Sequence, residues 1–87
     1  VISRTTRTFW KCFDALPSEA RRQAVRAYVL WRADPFHPSL RFKCVSETHG
    51  VWSARIGLHW RALGTRDGDA VIWFWLGSHA DYDRLIG

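Results

Sequence analysis

The sequence predicts an α+β fold: an N-terminal helical hairpin packed on one face of a four-stranded, mainly antiparallel sheet, closed by a short C-terminal helix or turn. Three observations predict it. The N-terminal part carries apolar residues at helical spacing, over Phe9–Leu16 and Ala20–Trp31. The remainder alternates with a period of two or runs apolar, and turn signals at Glu47-Thr48-His49-Gly50 and Asp67-Gly68 punctuate it. Finally, 87 residues at 47% hydrophobic and 24% charged fit one globular domain, residues 1–87.

Taken in order, Val1–Arg4 carries only a weak strand signal. Thr8 is the expected cap of a first helix whose Phe9, Trp10, Phe13 and Leu16 share one face. Pro17 breaks that helix, and Ser18 is the expected N-cap of a second, from about Glu19 to Arg32. Ala20, Ala24, Ala27, Tyr28 and Trp31 form its apolar stripe, and its arginines lie mostly off it. Pro35 and Pro38 forbid continued helix, so 33–39 is a loop.

Leu40–Ser46 reads as a strand, with Leu40, Phe42 and Cys44 on one face and Arg41, Lys43 and Val45 on the other. Next comes a meander. In its first strand Trp52, Ala54, Ile56 and Leu58 oppose Ser53, Arg55, Gly57 and His59. A second strand covers about Trp60–Thr65, and Ala70–Leu76 reads as a strand buried on both faces. The meander alone would leave that apolar strand at a sheet edge, so the N-terminal segment or a partner chain should cover it.

The chain carries a formal net charge of +5, which favours a polyanionic partner or simply a soluble basic surface. It has no run of about 20 apolar residues, so neither a transmembrane helix nor a membrane partner is expected. No export signal opens it, so Cys12 and Cys44 are expected as reduced thiols in a cytoplasmic protein. His37, His49 and His59 are scattered, and there is no zinc spacing, glycine-rich phosphate loop or Ser/His/Asp set. No metal and no cofactor are therefore expected.

Four ordered segments resemble a known family. They are Ser39-Leu40-Arg41-Phe42-Lys43, Trp52-Ser53-Ala54-Arg55-Ile56-Gly57, Trp60-Arg61-Ala62-Leu63, and Trp73 through Tyr82. Together they resemble toxins of the RelE/ParE superfamily, the toxin halves of bacterial type II toxin–antitoxin systems. The resemblance implies a small basic α+β domain wrapped by a cognate antitoxin in a hetero-oligomer. It also implies one of two activities. Many members are ribosome-dependent endoribonucleases that cut mRNA and so inhibit translation. Another branch inhibits DNA gyrase without the nuclease residues. Positions matching the nuclease branch are Arg41, Lys43, Arg55, Arg61, His79 and Tyr82. The stretch Asp34-Pro35-Phe36-His37-Pro38 departs from members with a glutamate before the second strand.

Metal-independent RNA cleavage needs a base for the 2′-OH, cations for the phosphorane, and an acid for the departing 5′ oxygen. His79, at a strand end, is of the right type for either proton transfer. Tyr82 has three functional readings: phosphate donor, acid, or platform for a base. It is equally compatible with a packing role in the C-terminal turn. Arg61 and Arg55 suit phosphate contact, and Lys43 and Arg41 suit RNA binding; all four also fit a solvated sheet face. Trp73 and Trp75 fit the core better than base stacking.

Overall fold

The computed structural model describes residues 2–86. Its elements run β1 (Ile2–Thr5), α1 (Arg7–Ala15), α2 (Ser18–Ala33), β2 (Lys43–Ser46), β3 (Val51–Ile56), β4 (Trp60–Asp67), β5 (Ala70–Ser78) and α3 (His79–Ile86), with a 3₁₀ turn at Pro38–Leu40 before β2. The class is the expected one, but the sheet has five strands, in the order β1-β5-β4-β3-β2. The extra strand is β1, which pairs parallel with β5 from Ile2↔Ala70 to Thr5↔Trp73. The apolar β5 is therefore an inner strand, covered by the N-terminal segment.

Both helix starts fall earlier than expected. Thr6, not Thr8, caps α1; its side chain accepts from the Phe9 N–H at 3.2 Å. Pro17 takes the cap position of α2, where its missing N–H loses nothing, and Ser18 is already helical. The Arg21 guanidinium donates to the Leu16 carbonyl at 2.6 Å and so fastens the turn between the helices.

The two helices cover one face of the sheet, which we call inner. Leu16, Ala20, Ala24 and Trp31 from the helical side pack with Ala54, Ile56, Ala62, Val71, Trp73 and Leu76 from the strands. Trp31 sits at the centre, edge-on to Trp73 at 5.1 Å and to Phe42 at 5.7 Å between ring centroids. An apolar cavity of about 300 Å³ remains beneath the helices, with Phe9, Phe13, Ala27, Trp31 and Trp73 in its walls.

Two departures reshape the predicted strands. Leu40–Phe42 is not strand: Leu40 closes the 3₁₀ turn and Arg41 adopts a left-handed conformation at φ 45°. Only Lys43–Ser46 pairs with β3, and Cys44 is exposed. In β5 the register slips between Leu63 and Gly64 of β4, so that Leu63 faces Trp75, Gly64 faces Trp73, and Phe74 is the extra residue of a β-bulge. The bulge moves Trp75 off the inner face that Trp73 shares with Leu76. Ile72 is exposed too, so β5 is not buried on both faces as its composition suggests. Leu58, expected to point inward, lies 69% exposed in the β3–β4 turn.

Candidate functional site

The outer face of the sheet is where the predicted site residues meet. Arg55 on β3 and Arg61 on β4 are direct cross-strand partners. Directly opposed residues of an antiparallel pair project from the same face with Cβ atoms about 4.5–5.5 Å apart. Like charges so placed repel unless something anchors or neutralises them. Each guanidinium is anchored at this end of the hairpin: Arg55 Nε donates to the Gly57 carbonyl in the β3–β4 turn and Arg61 Nη1 to the carbonyl of Trp60, the first residue of β4, both at 2.9 Å. Gly57 makes the turn at φ +59°, and a β-carbon there would meet Gln23 Oε1 at 2.6 Å. Each arginine keeps further N–H donors for a ligand. Among the described residues, no ion pair joins either arginine to a carboxylate.

The electrostatics record this crowding. Burial first, and then the Arg55 guanidinium, hold Arg61 below the ordinary arginine value. Tyr82 and Asp83 act in the opposite direction, and Arg41 adds to the lowering. With Asp83 the one carboxylate acting on Arg61 against Arg55 and Arg41, the balance of charge at this face is positive.

His79 is the first residue of α3, immediately after β5. Its N–H donates to the His59 carbonyl at 2.7 Å, which ties the start of α3 to the β3–β4 turn. The Ser78 hydroxyl accepts from the Asp81 N–H at 3.1 Å and caps the helix. The His79 ring lies nearly parallel to the Tyr82 ring, 6.4 Å between centroids at 22°, and its Nε2 is 3.2 Å from an Asp83 oxygen. The Tyr82 ring in turn carries the Arg61 guanidinium at 5.9 Å over its face. Tyr82 is buried, and its hydroxyl donates to Ser53 Oγ at 3.3 Å.

Arg55, Arg61, His79 and Tyr82 are thus brought together through register and ring contacts. Lys43 stands at the same face's margin, paired in register with Ser53 on exposed β2. Arg41 reaches the cluster through its charge, from the turn that precedes β2. The other histidine side chains stand apart. His37 bonds with Ser39 and His49 with Ser46, each within its own loop. His59 contributes its carbonyl rather than its ring. No group of three or more His, Cys, Asp or Glu side chains is placed to hold a metal ion among the described residues.

Two neighbours were not singled out from the sequence, and a third was read there as core. Ser53 is the buried polar side chain beneath Tyr82, and its alternation with Arg55 was the available signal. Asp83 follows His79 by one helical turn, visible only if the C-terminal segment is read as helix. Trp75, read from the sequence as core, lies instead over Gly77, the register partner of Arg61; a β-carbon on Gly77 would sit 2.5 Å from Trp75 Cζ2.

The fold has known parallels. The family model of the ParE-like toxin domain matches residues 18–84. The chain belongs to the ParE-like toxin family. It is a toxin of the RelE/ParE superfamily. Solved structures agree on the fold. The toxin–antitoxin pair RelB–RelE from Methanococcus jannaschii provides a chain that superposes with a TM-score of 0.74 at 15% identity, over 97% of this chain and 99% of that one. The RelBE2 toxin–antitoxin complex from Mycobacterium tuberculosis provides one with a TM-score of 0.68 at 23% identity, over 90% and 96%. The YoeB/ParE toxin from Agrobacterium tumefaciens gives 0.68 at 14%, over 91% and 99%. No curated protein matches in sequence. No helix among the described residues is long and apolar enough to cross a membrane.

Proposed function

We propose that this toxin is a ribosome-dependent endoribonuclease that cleaves mRNA without a metal ion. The observation that carries the reading is the Arg55–Arg61 cross-strand pair, uncompensated by an ion pair and joined to His79 through the Tyr82 ring. In the reaction the 2′-OH loses its proton and attacks the adjacent phosphorus. The 5′ oxygen leaves and takes up a proton, giving a 2′,3′-cyclic phosphate and a 5′-hydroxyl. Arg61 and Arg55 hold the non-bridging oxygens as negative charge builds on them. His79 transfers a proton. Lys43 and Arg41 bind flanking phosphates.

A cognate antitoxin is the protein partner of this reading, supplying acidic and apolar residues. Charge attraction to a basic toxin speeds such encounters and weakens with salt. The test is primer extension on cellular mRNAs after brief induction of the wild-type protein, His79→Ala and Arg61→Ala. Cuts inside translated reading frames, absent from both variants, are expected.

The family match also favours a second reading, in which the protein binds DNA gyrase and inhibits it without catalysis, because the matching model is that of ParE-like toxins. It predicts growth arrest with DNA-damage signalling and intact mRNA. The same induction experiment separates the two.

A further inference from the structure

We propose that Tyr82 is a positioning residue rather than a proton donor, and that Ser53 fixes it in place. The inference rests on the nuclease reading and assigns Tyr82 and Ser53 their parts within it. A phenol serving as general acid must present its O–H to the leaving oxygen. That of Tyr82 is buried and already engaged. It donates to Ser53 Oγ on β3, across the face of the sheet. Tyr82 is only 6% exposed and Ser53 2%.

What Tyr82 offers the site is its ring. One contact is the Arg61 guanidinium, 5.9 Å from the ring centroid. The other is the His79 imidazole, stacked at 6.4 Å. The ring thereby restrains the two groups on which the chemistry depends, one from β4 and one from α3. Held side chains spare the reaction the entropy of arranging them. The bond that fixes the ring spans 29 residues of sequence and is long for a hydroxyl pair at 3.3 Å. Its loss should therefore loosen the site rather than abolish it.

The test compares Tyr82→Phe, Ser53→Ala, the double variant and Tyr82→Leu by single-turnover cleavage on mRNA-programmed ribosomes. Tyr82→Phe and Ser53→Ala remove the same bond, so each slows cleavage about 3-fold and the double variant is no slower. Tyr82→Leu removes the ring and slows cleavage by about 100-fold, with ribosome affinity unchanged within about 3-fold. The pH–rate profile of Tyr82→Phe keeps both limbs of the wild-type curve. A loss of about 100-fold or more in Tyr82→Phe, or a missing limb, overturns the proposal, because that is what removing an acid does.

If the wild-type protein cleaves nothing, the nuclease reading falls by itself. Amide hydrogen exchange then judges the anchor independently of any activity. Exchange across residues 81–86 should quicken about 10-fold in both Ser53→Ala and Tyr82→Phe. Unchanged exchange in both variants overturns it.

Discussion

The two faces of the sheet are built from the same strands and obey different rules. On the inner face, Ala54, Ile56, Ala62, Trp73 and Leu76 are buried beneath the helices. On the outer face, Ser53, Arg55 and Arg61 carry the polar groups, beneath and beside the single helix α3. The change from one regime to the other takes one residue, as in Ala54-Arg55-Ile56 and Arg61-Ala62. The pleat keeps the groups that hold the fold together one peptide away from those assigned to chemistry. Stability and activity should therefore respond to different substitutions.

The most severe test removes the centre of the inner face. Trp31→Ala deletes the side chain that joins Trp73 and Phe42, and should lower stability by about 3–5 kcal/mol in urea unfolding. Soluble, cooperatively folded protein with an unshifted midpoint would show that the inner face is not the stabilising one. On the other side, Arg61→Ala should slow cleavage on programmed ribosomes by about 10²–10³. Its urea midpoint should not fall, because Arg61 is held charged against burial and the adjacent Arg55. A large loss of stability in this variant would erase the division between the faces.

Two smaller effects sharpen it. Arg41 adopts a left-handed backbone where glycine is the usual occupant of a cap. Arg41→Gly should raise stability by about 1 kcal/mol while weakening RNA binding and reducing its salt dependence by about one charge. Such opposite signs at one position would show strain retained for the sake of a charge. The mildest case is Ala27→Leu, which extends a side chain into the apolar cavity under the helices. It should add about 0.5–2 kcal/mol of stability with the cleavage rate unaltered, measured in the same two assays.

The two faces were unequally legible in the sequence. The alternation of β3 placed Ser53 and Arg55 opposite Ala54 and Ile56, and the Asp67-Gly68 signal located the β4–β5 turn, where Gly68 sits at φ +59°. The pattern could put Arg55 and Arg61 on the solvated sheet face and His79 and Tyr82 just beyond its last strand, but not which of them touch, because register and the path of α3 are not local properties. β1 stayed nearly invisible: it is short and polar, and it pairs with residues about 68 positions away. The bulge at Phe74 broke the period, so Trp73 and Trp75, which a regular strand would put together, face opposite ways. Arg41 looked like a strand residue because it lies between Leu40 and Phe42, which are both buried. Turn geometry rather than alternation produces that pattern.

The parallel pairing of β1 with β5 also has a consequence for how the protein is born. Ile2–Thr5 are translated well before residues 70–73 and must wait for them before they have a partner. At about 5–20 residues per second, that interval is roughly 3–14 seconds. The residues at which the cationic face converges, His79 and Tyr82, are translated later still. A nascent chain thus carries no assembled cationic face before His79 and Tyr82 have been made. The order of translation works as a delay, set by which strand lies beside which.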